Sequence, residues 1–409
     1  MHEHMIILVI AVVVLLYGYI SQGLSRLNIS GPMVFASLGL LISPLGLDVR
    51  QVDINADFVT IIVEVALILV LFSDAALLSL KSLRHSWQLP TRLLLIGLPL
   101  TIIVGTFTAQ MIFPNEPAIY MLLLALLLTP TDAALGKAVV SDIKVPKDIR
   151  STINIESGLN DGIVFPLVIA VVAMILSGLT KASGGDSHWL SSVFIQVSFG
   201  ALVGIMSGYL GTKISQFSVS KNWMVASYQN LVPIALALLA YYLAETFHGN
   251  GFISAFFAGL LAGNTCEKTR EHIENFAESE GELLVLISFF LFGLAFVPNI
   301  IQYVTVEVCI YAFLSLTVLR MIPVIICLIG AKLTTGKLDF STITFIAWFG
   351  PRGIASILYV LIVAHDMGSD KGLETVYATV MVTVLMSIFA HGISAQPLAN
   401  WYSKHHKDN

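Results

Sequence analysis

The sequence predicts an all-α polytopic membrane protein of about 13 transmembrane helices, arranged as two inverted repeats with crossing broken helices. Three observations carry that prediction. Hydrophobic residues make up 56% of the 409 positions and charged residues 11%, against roughly 45–50% and 25% in a soluble domain. Apolar stretches close to the ~20 residues that cross a bilayer recur from one end of the chain to the other. Two Pro-containing interruptions, TPTD (129–132) and FGPRG (349–353), fall at matching places in the two halves.

The segments follow in order. Segment 1 (5–22) has no basic leader and is followed by Ser21-Gln22-Gly23, a poor cleavage site, so it reads as a retained helix rather than a signal peptide. Segment 2 (31–47) is short, and segment 3 (58–80) carries Glu64 and Asp74. Segments 4 (93–113) and 5 (118–136) follow, the latter interrupted where Pro130 removes a backbone donor and crowds the preceding turn. Segment 6 (151–178) opens on INIESGLND. Segment 7 (189–210) links a first repeat, 5–178, to a second, 223–397. The second repeat contains segments 8 (223–245), 9 (250–265), 10 (283–297), 11 (302–331), 12 (339–365) and 13 (373–397). Glu267–Glu282 reads as an amphipathic cytoplasmic linker, and 401–409 as a short cytoplasmic tail behind a single membrane domain, 1–400. The pairing of segment 5 with segment 12 sets Thr131 against Arg352, 221 residues on, and the two repeats begin about as far apart.

Basic residues orient the chain, because positive loops stay cytoplasmic. With the N-terminus outside and the C-terminus cytoplasmic, 16 of the 21 Lys and Arg residues face inward. Arg50, Lys181 and Lys371 face outward, and Arg320 and Arg352 lie within segments. A prokaryotic inner membrane fits a chain of this kind. Its three cysteines form no disulfide framework. No stretch suits a soluble nucleotide-binding domain, a nucleic-acid partner or a resident cofactor.

Ionisable groups at bilayer depth are costly, so they mark a function or a partner. Glu64, Asp74, Asp132, Glu156, Asp161, Arg320 and Arg352 qualify. On segment 6, Ser157 and Asp161 share one face and Glu156 and Asn160 the next, being four apart. Asp161 precedes an uncharged run, 162–180, and is expected to sit deep. The break at Pro130 frees oxygens near Thr129 and Thr131 beside Asp132, a donor set suited to a hard cation such as Na⁺ or Li⁺. Asp132 can equally neutralise the positive end of a half-helix. Burial favours a protonated carboxyl and a nearby cation favours the ionised form, so cation and proton exclude one another at one carboxylate. With access alternating between the two sides, that competition gives exchange. Asn160 cannot ionise, so the pair 160–161 offers one titrating carboxylate and predicts electroneutral one-for-one exchange.

Arg320 needs a partner, and Glu156 is the natural one. Arg352 is expected to lie against the negative end of a broken segment 12. Asp74 is read as an access or indirect contact residue, Glu64 as a helix-contact or lipid-interface residue, and His365 and His391 as structural. An intramembrane aspartyl protease using Asp132 and Asp161 would leave Glu156 and Arg320 without a role, and it would place Gly-Leu-Asn where such enzymes resemble Gly-x-Gly before the second Asp. The chain is therefore not expected to be an enzyme.

TPTD, ESGLNDG (156–162), LRMIPV (319–324) and WFGPRG (348–353), in this order and spacing, resemble NhaP-type sodium/proton antiporters, a cation:proton antiporter family related to the animal sodium/proton exchangers. The resemblance spans the whole membrane region. It implies the NhaA/NhaP-like fold, a homodimer embedded in lipid, and in each protomer a dimerisation part and a six-helix core that moves like an elevator. It also implies a monovalent cation held by Asp132, Ser157 and Asp161 with an oxygen of Thr131, and a Glu156–Arg320 pair. Family members often carry Glu where this chain has Asp74, and Leu where it has Pro351.

Overall fold

The computed structural model describes residues 2–46, 57–81, 87–132, 135, 144–177, 189–333, 336–367 and 372–405. Every segment expected from the sequence that lies within them is helical. Helices α1 (His2–Arg26), α2 (Gly31–Ile42), α3 (Asp57–Leu77), α4 (Gln88–Ile112), α5 (Ala118–Leu127) and α6 (Lys147–Leu176) form the first half. Helix α7 (Trp189–Ser220) leads to α8 (Ala226–Thr246), α9 (Gly251–Thr265), α10 (Glu267–Tyr303) and α11 (Val306–Leu328). The two short halves α12a (Phe340–Trp348) and α12b (Ile354–Met367) and the long α13 (Glu374–His405) complete the chain. A ladder of two residues per strand, Lys332–Leu333 against Gly336–Lys337, closes the turn before α12a.

Eight of these helices are long and apolar enough to cross a bilayer, and several shorter apolar ones accompany them. All-helical construction follows from the solvent: a helix satisfies its backbone polar groups internally, which hydrocarbon cannot do. The outward faces of α1 and α7 carry Leu15, Leu16, Phe194 and Ile214, all exposed and apolar. This is an integral membrane protein.

Several boundaries differ from the sequence expectation; α7 runs to Ser220 rather than 210, and α2 stops at Ile42 rather than 47. The linker 267–282 is no separate element, since α10 runs through it and through two π-helical turns, Ala277–Gly281 and Phe292–Phe296. Helix α4 starts at Gln88 rather than 93 and contains a third π turn, Leu93–Gly97. Segment 11 is interrupted at Thr317, whose φ of −110° and ψ of −91° are not helical. Helix α13 continues past the expected tail boundary to His405. The cause is a contact hydropathy does not register: the Tyr402 ring packs 4.6 Å from that of Phe345, with its hydroxyl 2.7 Å from Thr342 Oγ1. Residues 133, 134 and 136 of segment 5 and residues 137–143 after it lie outside the described residues, as do Arg50, Arg84, Lys181, Lys371 and Lys407 and the side chain of His365.

The interior is built from close helix crossings. Gly259 and Gly263, four apart on α9, let its backbone meet that of α3, where an added Cβ would stand 2.0 Å from the Phe72 carbonyl oxygen and 1.9 Å from that of Ala76. Without water between helices, such small-residue contacts let van der Waals packing and backbone approach hold a membrane bundle together. They also fix α3, and with it Asp74, against the rest of the protein.

Gly263→Val is expected to destabilise the fold by about 3 kcal/mol, since the obstacle is backbone that cannot move aside. A thermal unfolding midpoint in detergent indistinguishable from wild type would show that α3 and α9 do not cross this tightly.

Candidate functional site

The site begins with two helices that stop midway. Helix α5 ends when Pro130 offers no N–H, and Thr129 Oγ1 turns back to the Ala125 carbonyl at 2.6 Å. Helix α12a ends at Trp348, and the extended residues 349–353 lead to α12b. Each end leaves backbone groups without helical partners and a partial charge of fixed sign, negative at the C-terminal ends of α5 and α12a and positive at the N-terminal end of α12b.

The two breaks supply each other. Arg352 Nη1 donates to the Thr129 and Pro130 carbonyl oxygens at 2.8 and 3.2 Å, so a guanidinium covers the negative end of α5. Asp132 Oδ2 accepts the Ile354 N–H at 2.7 Å, so a carboxylate covers the positive end of α12b. The Asp132 N–H donates to the Pro351 carbonyl at 2.8 Å and joins the two backbones directly. Arg352 was expected against broken segment 12, and the structure corrects this. A residue inside a break cannot readily fold back on its own helix end, whereas the crossing brings the end of α5 beside it. Gly353 makes the approach possible: a Cβ there would stand 1.8 Å from Asp132 Oδ2.

Helix α6 lies against this crossing. Ser157 Oγ donates to the Thr131 carbonyl at 2.6 Å, and Asn160 Nδ2 donates to Thr131 Oγ1 at 2.7 Å. Thr131, Ser157, Asn160 and Asp161 are thus brought together, and all are buried. Asp161 Oδ1 and Asn160 Oδ1 have no hydrogen-bond partner. The Tyr359 hydroxyl reaches the Asp161 carbonyl at 3.5 Å, and its ring packs 4.9 Å from Phe165, one turn beyond Asp161. One turn before Asp161, Glu156 receives both Arg320 terminal nitrogens, each at 2.7 Å. This bidentate pair ties α6 to α11, and residue 350 of the second break lies directly over the guanidinium.

Asp74 lies apart from that cluster but is connected to it. It faces a cavity of about 640 Å³ whose wall also includes Ser73, Asp132, Asn154 and Ile354 and which reaches Glu267 and Glu274 on α10. Asp161 is not on its wall, although Asp74, Asp132 and Asp161 act on one another electrostatically. Glu64 acts electrostatically on Tyr241 and Tyr242 of α8, a helix contact away from the breaks. His391 is buried on α13 beside the second break.

These donors fit one kind of ligand. Among the described residues no three His, Cys, Asp or Glu side chains stand together as a metal-holding group. What converges is the Asp161 carboxylate, one amide and hydroxyl and carbonyl oxygens, with the Asp132 carboxylate next to Thr131 in the chain and already engaged by the Ile354 N–H, all hard oxygen donors. Such a set suits a monovalent cation better than a divalent one.

The profile of the transmembrane sodium/hydrogen exchangers matches residues 9–401. The chain belongs to that family. Among curated relatives, the Na(+)/H(+) antiporter NhaP of Pseudomonas aeruginosa is 27% identical over 389 residues, covering 90% of this chain and 88% of that protein. The K(+)/H(+) antiporter NhaP of Alkalimonas amylolytica is 25% identical across 97% of this chain, which spans 66% of that longer protein. Two structures of the sodium proton antiporter MjNhaP1 from Methanocaldococcus jannaschii share the fold. One, at pH 8, has a TM-score of 0.77 at 19% identity and covers 98% of this chain and 99% of the other. An electron-microscopy structure gives 0.76 at 20%, over the full length of both chains.

Within this family frame, three residues beside the site had no role in the sequence reading. Tyr359 and Ser387 carry no local motif and are separated from the breaks' partners by long stretches of chain. Ser73 adjoins Asp74, and its buried, unpartnered hydroxyl lines the cavity.

Removing one partner of the buried pair leaves the other charge uncompensated, so Glu156→Leu and Arg320→Leu should each destabilise by about 3–5 kcal/mol. The double variant should be closer to wild type than either single one. Additive losses in detergent melting experiments would mean the two side chains do not depend on each other.

Proposed function

We propose that this chain exchanges Na⁺ for H⁺, one for one, with the two ions competing for Asp161. The observation that carries this reading is the division of labour among the buried charges. Glu156 is matched by Arg320, and Asp132 accepts backbone N–H groups at the break. Among the described carboxylates, Asp161 keeps a buried oxygen without a hydrogen-bond partner, on the helix that presents Ser157 and Asn160 to Thr131. A carboxylate so placed must gain either a cation or a proton. Because that one group releases one charge when it binds the other, turnover carries no net charge.

Asp132 combines two tasks in this reading, holding α12b and lending a carboxylate oxygen to the cation. Asp74 lies beyond Glu267 and Glu274 along the cavity from α10, and it passes a cation inward. The protein works without a resident cofactor and catalyses no covalent reaction. It acts as a homodimer, with repeats 5–178 and 223–397 supplying a dimerisation part and a moving six-helix core. It lies in a prokaryotic inner membrane with its N-terminus outside and its C-terminus in the cytoplasm. K⁺/H⁺ exchange through the same oxygens is the second reading, favoured by the relatives named for K⁺ at nearly the same identity as the one named for Na⁺. Cation choice turns on the size and hydration of the ion, which this set of oxygens does not by itself decide.

Proteoliposomes with an internal pH dye and an imposed pH gradient test the reading when Na⁺, Li⁺, K⁺ and choline are added in turn. Na⁺ and Li⁺ should collapse the gradient, K⁺ and choline should not, and Asp161→Asn should fall to the level of protein-free vesicles. Collapse by K⁺ moves the reading to potassium; a steady current during turnover rules out the one-for-one stoichiometry; full activity of Asp161→Asn removes the mechanism.

A further inference from the structure

Helix α13 runs alongside broken segment 12, and its buried polar side chains meet the break at successive turns. Ser387 Oγ accepts the Arg352 N–H at 2.7 Å. His391 Nε2 stands 3.1 Å from the Trp348 carbonyl oxygen, and His391 Nδ1 stands 3.1 Å from Ser387 Oγ. The Trp348 indole donates to Ser394 Oγ at 2.9 Å, and its ring lies against the imidazole with centroids 5.1 Å apart. His391 and Ser387 are both fully enclosed.

Proton positions in the neutral ring follow by elimination. A backbone carbonyl only accepts, so His391 Nε2 carries the hydrogen and donates to Trp348. Nδ1 is then an acceptor. The Ser387 carbonyl, 3.2 Å away, has no proton to give, so the Ser387 hydroxyl supplies the bond. The same hydroxyl oxygen receives the Arg352 N–H. One directed chain therefore runs from Arg352 N–H through Ser387 and His391 to the Trp348 carbonyl. Its ends are backbone groups that the break itself strips of helical partners, one at the last residue of α12a and one just before α12b.

We propose that His391 is a positioning residue for exchange, acting through Ser387 to splint the second break in register with the first. The proposal rests on the exchange reading above and deepens it by naming what fixes the site's geometry from outside. The Arg352 backbone sets where its guanidinium meets Thr129 and Pro130. Two residues on, the Ile354 N–H sets where Asp132 points. Thr131, next to Asp132 in the chain, in turn accepts from Ser157 and Asn160. Relaxing the splint shifts these oxygens relative to Asp161, and displacements near 1 Å in a binding constellation can cost about 100-fold. His391 touches neither ion; it acts on the cation only through the backbone it holds.

The test uses reconstituted full-length protein and compares His391→Leu, His391→Gln, Ser387→Ala and the Leu/Ala double variant. Exchange is measured against cation concentration and normalised to folded protein by thermal unfolding and monodispersity. Leu fills the space without hydrogen bonds, whereas Gln can still accept from Ser387 and donate to Trp348. Ser387→Ala removes one oxygen and should fold even if His391→Leu does not. His391→Leu and Ser387→Ala are expected to raise the half-saturating cation concentration on the order of tenfold. Gln should recover most of that loss, and the double variant should be no worse than the weaker single one, because both break one chain. Unchanged half-saturation in folded Ser387→Ala, no recovery by Gln, or multiplying losses in the double variant would each overturn the proposal while leaving exchange itself intact. Wild-type vesicles that move no protons with any cation would instead overturn the exchange reading, and this proposal with it.

Discussion

Everything in the site depends on one constraint: a helix that stops inside a membrane leaves bare backbone groups and a partial charge that the surroundings cannot solvate. This chain meets the constraint by stopping two helices at the same depth and letting each break supply the opposite charge to the other. Arg352 serves the carbonyls of α5, and Asp132 serves the N–H of α12b. Neither charge would be tolerable alone, and neither break would be tolerable without it. The candidate site is therefore built from groups the fold already requires, with Thr131 presented to Ser157 and Asn160 because α5 ends there.

Much of this was legible in the sequence because its causes are local. Apolar runs marked the segments, Pro130 and Pro351 marked the breaks, and spacing of four on α6 placed Ser157 with Asp161 and Glu156 with Asn160. The Glu156–Arg320 pair could be anticipated because two buried opposite charges have few other ways to be accommodated. The partner of Arg352 could not be read this way. Its residence in segment 12 suggested a role at that segment's own end, and only the crossing in three dimensions reveals that it serves α5. The extension of α13 was hidden for a similar reason: WYSKH (401–405) is too polar to look like a span, and Tyr402 is held by Phe345 and Thr342 from a distant part of the chain.

The same division separates the roles of the buried acids. In sequence, Asp161, Glu156 and Asp74 are told apart only by their places along the segments and by the need of Arg320 for a partner, and Asp132 is left between two roles. In the structure they differ by what already satisfies them. Glu156 has a guanidinium, Asp132 has backbone donors, Asp74 faces a cavity, and Asp161 has an oxygen with no partner. An unsatisfied buried carboxylate is the costly member of the set, and a cost that binding relieves is what couples an ion to a site.

A site assembled from reciprocal caps also has a mechanical consequence. Asp132 and Arg352 each grip the other's break, so α5 and α12b cannot separate without exposing both helix ends at once. Motion that changes access to Asp161 must then carry the crossing as a unit and slide it against neighbours joined by weaker, apolar contacts. The bidentate Glu156–Arg320 pair extends that unit to α6 and α11, and the Ser387–His391 chain extends it to α13. The polar bonds are concentrated inside one body, and apolar surfaces, which can slip past one another without leaving a polar group bare, form its boundary. In the exchange proposed above, access can alternate while the oxygens around Asp161 keep their places.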